Sequence, residues 1–227
     1  MKTWIAFWSI LKKDAKTYYL NPPNISWGII FPLSWTLMQL IRSPGGNMLE
    51  LLPGLIAMSV LFGTTSMLAV TITFERSGRS FDRLLLAPIS ISTMVLAKIT
   101  GAIVFGIFNA FVPIIFAAFF INLGAVNWGV TLLAVVLIAI TSTLTGLLIA
   151  VSAKQVFEAQ TFSNFFRFPM LRPVSFLLPL TYGTDILNGA IAGTNLLPPL
   201  LCYGALLLFV IGLFLICLHN INRKWIL

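Results

Sequence analysis

Of 227 residues, 59% are hydrophobic and only 9% charged, and 14 Lys and Arg against 6 Asp and Glu give a formal net charge of +8. A soluble domain carries roughly 45–50% apolar residues, so this composition, with a mean hydropathy of +1.00, excludes one and points to an integral membrane protein. The basic residues gather at alternate ends of long apolar runs, so membrane orientation accounts for the charge and nucleic-acid binding is excluded.

The first 20 residues, "MKTWIAFWSILKKDAKTYYL", are interrupted by charge and followed by no small-residue cleavage site, so they are not a signal peptide. On a helical wheel Trp4, Trp8, Leu11, Ala15 and Tyr18 form a stripe opposite Lys2, Lys12, Lys13 and Lys16. That is the pattern of a helix lying in the membrane interface, lysines toward headgroups and water. Asn21, Pro22 and Pro23 end it.

Apolar runs then follow at 25–41, 51–74, 93–121, 128–153 and 198–218. A hydrocarbon core about 30 Å thick needs about 20 apolar residues in helical form. The runs lack the ten-residue alternation of a barrel, so the fold class is all-α, a bundle of transmembrane helices. Lys2 to Lys16 precede the first run, Arg76, Arg79, Arg83 and Lys98 surround the loop after the second, Lys154 follows the fourth, and Arg223 and Lys224 close the chain. This places both termini in the cytoplasm and requires a sixth span between 155 and 197. The stretch 158–171, "EAQTFSNFFRFPML", is the candidate, short and holding Arg167 and Pro169.

The segment "TFERSGRSFDRLLLAPIS", residues 73–90, concentrates Glu75, Arg76, Arg79, Asp82 and Arg83 in an otherwise greasy chain. Read as a helix over 75–88, it sets Phe81, Leu84 and Leu85 on one face at i, i+3 and i+4 spacing and pairs Glu75 with Arg79 at i, i+4. Ser77 and Gly78 offer a break, and Pro88 ends it. A solvated turn whose arginines only enforce topology fits the composition equally.

Further along, Pro32 and Pro113 interrupt the first and third spans, and small residues recur at close-packing spacing, as at Ser59 and Gly63, Ala102 and Gly106, Gly146 and Ala150. Between 172 and 199, prolines and glycines break an apolar text, which predicts a re-entrant outer segment before the sixth span. Within it, Asp185 fits a cap on the following helix better than a ligand contact. Cys202 and Cys217 share the last helix about 22 Å apart, too far to bridge, and read as packing residues. There is no phosphate-binding G-x-x-x-x-G-K-[ST] loop. The lone His219 has no partners for a metal site or nucleophilic triad. No span interior carries an Asp or Glu, Glu158 standing at the very start of the 158–171 stretch, so ion coupling of the usual kind lacks its groups. A lipid-modifying membrane enzyme would need clustered His, Asp or Glu, and a secondary transporter buried carboxylates and inverted repeats; the sequence offers neither.

The string "FERSGRSFDRLLLAPISISTMVLAK", through Glu75, Arg76, Phe81, Asp82, Leu84, Leu85, Pro88 and Lys98, resembles the loop of type 2 ATP-binding-cassette transporter permeases, and the whole chain looks closest to the daunorubicin-resistance type of multidrug exporter permease. "NFFRFPML" and "PLTYGTDILNGAI", with Pro179, Tyr182 and Asp185, resemble the family's fifth span and outer re-entrant motif. The resemblance implies a six-span permease of the prokaryotic cell membrane. Its 75–88 segment would be a coupling helix docking on a separate ATPase subunit through Glu75, Arg76, Arg79, Phe81, Asp82, Arg83, Leu84 and Leu85. Two permease chains, identical or different, would work with two ATPases that hold the ATP and magnesium, leaving this chain without cofactor, metal or catalytic residue. The cargo would be a hydrophobic or amphipathic drug or lipid, with lipid-linked sugar or polysaccharide as the alternative. Phe31, Gln39, Met58, Phe62 and Asn109 are candidates for its path, though each also fits plain packing. The family carries a further proline-bearing stretch between the fifth span and "PLTY", which this chain lacks between Leu171 and Arg172.

Overall fold

A computed structural model describes residues 2–42, 48–87, 89–153, 155–165 and 175–225, and among them every regular element is helical. Helix α1 is Lys2–Asp14, continued by a π turn over Ala15–Tyr19. Helix α2 is Pro22–Arg42. Helices α3, Met48–Leu61, and α4, Met67–Ser77, are one continuous rod joined by a second π turn, Phe62–Ser66. The short α5, Ser80–Leu85, precedes α6, Ile91–Ala117, and α7, Trp128–Ser152. Then come α8, Val156–Phe165, α9, Pro179–Ile191, and α10, Pro199–Trp225.

Among the described residues, four helices are long and apolar enough to cross a membrane: Met48–Ser77, Ile91–Ala117, Trp128–Ser152 and Pro199–Ile221. They carry four of the predicted spans. Helix α2 covers the predicted first span, and Ile29–Gln39 is the part of its apolar stretch whose side chains are described. Of the predicted 158–171 span, only the part within α8 is described; Arg167, Pro169 and the Leu171–Arg172 junction lie outside the described residues. Lys154 and Pro88 do too.

Ser90 and Asn127 mark two helix starts. Each side chain accepts from the backbone N–H three residues on, Thr93 and Val130 respectively, so each satisfies one of the amides a helix start leaves open. Pro113 sits inside α6 and Pro32 inside α2, and Thr36 Oγ1 donates to the Pro32 carbonyl. The proline removes an N–H from the ladder, and the threonine hydroxyl supplies a local donor nearby.

Helix α7 lies at the centre, against α3, α4, α6, α9 and α10. The core divides along the bundle axis. One half joins Leu52, Ile56, Val60, Ala110, Ile138, Leu187 and Leu206; the other joins Ile10, Leu68, Ile72, Phe81, Met94, Leu147 and Ile221. The second half marks the basic end, where α1, the α4–α5 turn and the far end of α10 gather. At the opposite end, the N–H of Asn127 donates to the Ala190 carbonyl, fixing the end of α9 beside the start of α7. Because Leu180 packs with the mid-chain residues of α7 while Ala190 meets its first turn, α9 runs from mid-bundle outward. Only 17% of the apolar window of α10 is buried, so that helix is peripheral.

Helix α1 buries residues outside its predicted apolar stripe. Trp4 and Trp8 are exposed, but the buried side is Ile10 and Asp14 followed by Tyr19, packed on α6. The wheel grouped residues by polarity alone, and a buried aspartate is invisible to that criterion.

Candidate functional site

The charged segment singled out in the sequence emerges as a braced turn. Helix α4 carries it to Ser77, and the cap N–H of Gly78 returns to the carbonyls of Phe74 and Arg76. The chain then reverses at Arg79, whose φ of 55° is left-handed, and re-enters a helix at Ser80. Left-handed backbone costs a non-glycine residue about 1–2 kcal/mol, so something around Arg79 must hold it there. The 75–88 helix is therefore two pieces, and the break falls where Ser77 and Gly78 offered one: α4 ends at Ser77, Gly78 caps it and Arg79 makes the turn.

What holds the turn is a buried ion cluster. Asp14, Glu75 and Lys98 are each only 1% exposed, although they come from α1, α4 and α6. Lys98 Nζ lies 2.9 Å from Asp14 Oδ2 and 2.6 Å from Glu75 Oε2. Lys13 Nζ lies 3.2 Å from Asp14 Oδ1 and also bonds Glu75 Oε1. Two ammoniums thus face two carboxylates, and the cluster is neutral as a unit. Burial opposes the Lys13 charge, but the bond to Glu75 and the negative charge of Asp14 and Glu75 outweigh it and hold its pKa above the ordinary lysine value.

This corrects two expectations. Glu75 does not pair with Arg79 at i, i+4; the helix ends at Ser77, and Glu75 turns inward to Lys13 and Lys98. Lys98 and Lys13 are likewise more than topology markers facing water. Asp14 was missed altogether, and its one sequence signal was a lone acid amid lysines on a helix whose neighbours at i−4 and i+5, Ile10 and Tyr19, are apolar.

Arg76 braces the other side. Its Nη1 donates to the carbonyls of Ala150 at 3.1 Å and Ala153 at 3.2 Å, the last turn of α7, where orphan carbonyls and the helix dipole favour a cation. Phe81 is buried in the basic-end core with Leu84 beside it, whereas Leu86 is 87% exposed. Arg79 and Ser80 are exposed. The side chains of Asp82, Arg83 and Leu85 lie outside what is described. Of the eight candidate docking residues, then, Glu75, Arg76 and Phe81 build the scaffold, and Arg79 stands at its tip.

The candidates for a substrate path separate. Phe31 of α2 and Phe62 of the π turn have ring centroids 4.0 Å apart, and Asn109 of α6 is buried against Gly63, the next residue. Gln39 and Met58 are half-buried elsewhere on α2 and α3. A cavity of about 100 Å³ opens among Ser142, Thr145, Leu177, Pro179, Phe209 and Leu213. Drug-sized sites need about 300 Å³ or more, so this cavity holds no such ligand by itself.

The re-entrant motif is held by its own side chains. Pro179 opens α9 at its first turn, where a missing N–H is harmless. Thr181 Oγ1 donates to the Ser175 carbonyl and Tyr182 Oη to the Phe176 carbonyl at 3.0 Å. Asp185, only 4% exposed, accepts from the N–H groups of Leu196 at 2.9 Å and Leu197 at 3.0 Å, with Cys202 Sγ at 3.5 Å. It fastens the turn before α10 from the preceding helix. Hydrogen bonds to a charged acceptor are worth about 1.5–3 kcal/mol each, so Asp185→Ala is expected to lower the thermal midpoint by several degrees in detergent and to speed proteolysis at 192–198. A variant as stable as the parent would remove this role.

Comparison with known proteins is consistent in kind. The profile of the ABC-2 type transporter family matches residues 5–182. The inner membrane transport permease YadH of Escherichia coli K12 is 25% identical over 245 residues, covering 97% of this chain and 96% of its own, and the protein of the same name from Shigella flexneri gives the same figures. The aligned length exceeds the 227 residues here, so these relatives carry residues without a counterpart in this chain.

Proposed function

The chain belongs to the ABC-2 type transporter family, and from that premise we propose that it is the membrane subunit of an ATP-binding-cassette exporter, driven by an ATPase on a separate polypeptide. In this reading the chain is a multi-pass permease of the prokaryotic cell membrane with six spans, and the basic end faces the cytoplasm. Two copies, or this chain and a paralogue, enclose the transport path, and ATP and magnesium are bound by the partner subunits.

The observation that carries the reading is the construction of the α4–α5 turn. Glu75 and Arg76 sit at the end of the same rod, one locked into the Asp14–Lys98 cluster and the other onto the end of α7. Phe81 plugs the core on the far side. The tip between them, with Arg79 in a strained conformation, is exposed. Strained backbone that persists is over-determined by its surroundings and collects at functional positions. A push on such a tip is passed to α1, α6 and α7 together, because no flexible linker intervenes. An ATPase that binds the tip with different strength in two arrangements of the bundle shifts the balance between them.

The cargo is a hydrophobic or amphipathic molecule, drug-like or lipid-like. Its support is the character of the residues at mid-depth: paired Phe31 and Phe62, and a cavity lined mainly by leucine, proline and phenylalanine. Because that cavity is too small alone, the path forms between two copies.

The test is recruitment. Arg79→Glu together with Arg83→Glu is expected to cut co-purification with the cognate ATPase at least tenfold while membrane insertion and thermal stability stay at parental levels. Undiminished co-purification would contradict the docking role of the tip.

A further inference from the structure

The rod formed by α3 and α4 runs unbroken from Met48 to Ser77, yet its middle turn, Phe62–Ser66, is π-helical. A π turn is a one-residue bulge in an otherwise α-helical ladder and recurs at functional positions. Nothing in the sequence around it, "LFGTTSM", forces a bulge: there is no proline, and threonine and serine are accepted in either form.

Its surroundings are packed tightly on two sides. A Cβ on Gly63 would lie 2.2 Å from Asn109 Nδ2, and one on Gly106 would lie 2.1 Å from Thr64 Cγ2. On the other side, Thr65 Oγ1 donates to the Ser142 carbonyl at 2.9 Å, and a Cβ on Gly146 would lie 2.7 Å from the Thr65 carbonyl oxygen. Gly146 therefore brings α7 against the backbone of the π turn, while Gly63 and Gly106 leave room for the side chains of Asn109 and Thr64 between the turn and α6.

Among the described residues, the buried polar atoms without a hydrogen-bond partner fall in two places, the basic-end cluster of Asp14, Tyr19 and Glu75 and the helices that meet at this turn. Both amide atoms of Asn109, Ser66 Oγ and Thr143 Oγ1 have none. Asn109 is 1% exposed and pressed against Gly63, so no space remains at that contact for a water to complete it. A buried amide left wholly unpaired calls for an explanation, and close packing removes the commonest one. The remaining explanation is a second arrangement in which the amide is paired.

We propose that the Phe62–Ser66 turn is a register joint: the bulge moves along the rod, each residue it passes turns by about 100°, and Asn109 gains from the rewound backbone the partners it lacks here. The joint lies between α3, which packs on the outer half of the bundle, and α4, whose end carries Glu75, Arg76 and the exposed tip. It converts a turn of α4 at the basic end into a change at Phe62, beside Phe31. This goes beyond the docking role of the tip and does not depend on it.

Hydrogen–deuterium exchange on the intact chain in lipid nanodiscs tests the joint without any ATPase. Amides of Phe62–Met67 are expected to exchange at least tenfold faster than those of Leu55–Val60 in the same rod. Asn109→Leu, which removes the unpaired amide and keeps the branching and number of side-chain heavy atoms, is expected to slow that exchange at least tenfold and to raise the thermal midpoint. Deletion of Ser66, which closes the bulge, is expected to slow it in the same way. A static bulge would keep its exchange rate in Asn109→Leu, and that result, or parental exchange no faster than at Leu55–Val60, would overturn the proposal.

Discussion

Lys98→Leu is expected to be the most damaging single change in the chain, with a loss of about 3–5 kcal/mol. Its ammonium is the one buried cation between Asp14 and Glu75, each 1% exposed, while Lys13 is 41% exposed at the edge. Removing one partner of a buried pair leaves an uncompensated charge, and the cost is dominated by that orphan. Thermal unfolding in detergent should show the loss, and α1 should become the first site of proteolysis, because Asp14 is what binds it to α6. Adding Asp14→Asn to Lys98→Leu should return part of the stability, since it removes the charge left over; the double-mutant cycle isolates the coupling. A Lys98→Leu protein as stable as the parent would mean that the cluster does not brace the bundle.

Gly146→Ala is expected to come second, because the added methyl meets backbone. It would sit 2.7 Å from the Thr65 carbonyl oxygen and 3.0 Å from Thr65 Cα, and neither can rotate aside. Overpacking of this kind costs about 1–3 kcal/mol, and here it also parts α7 from the π turn and breaks the Thr65 bond to Ser142. The control is Gly212→Ala on α10. Nothing lies within 4 Å of a Cβ there, and exchanging glycine for alanine inside a helix gains up to about 1 kcal/mol. Opposite shifts of the thermal midpoint in the two variants are the expected result, and a shared direction would contradict the close approach of α4 and α7.

The two variants also show where sequence reasoning reached and where it stopped. Spans were legible because a 20-residue apolar run has few alternatives in a membrane, and α3–α4, α6, α7 and α10 lie where composition put them. The charged turn was legible as a position between two spans. Its wiring was not, because Glu75 is bound to residues 62 and 23 positions away along the chain, and local spacing offered only Arg79. Asp14 escaped notice for the same reason: its partner Lys98 is 84 residues off. The π turn left no mark at all, since its residues are accepted in ordinary α-helix and the bulge is a property of packing against Asn109, Gly106 and Gly146. Asp185, expected as a cap on the following helix, lies inside α9 and instead accepts from the turn at Leu196 and Leu197, a partner that local spacing does not show.

The central claim, that a separate ATPase moves this membrane subunit through the α4–α5 tip, is tested most directly by a photo-reactive amino acid placed at Arg79 in living cells. The residue is exposed and is not a member of the ion cluster that holds the fold, so labelling leaves the scaffold intact. The account expects one dominant crosslinked product, identified by mass spectrometry as an ABC ATPase with a Walker-type phosphate loop and lost when that ATPase is deleted. Crosslinks to lipid alone, or a product unchanged by the deletion, would contradict it.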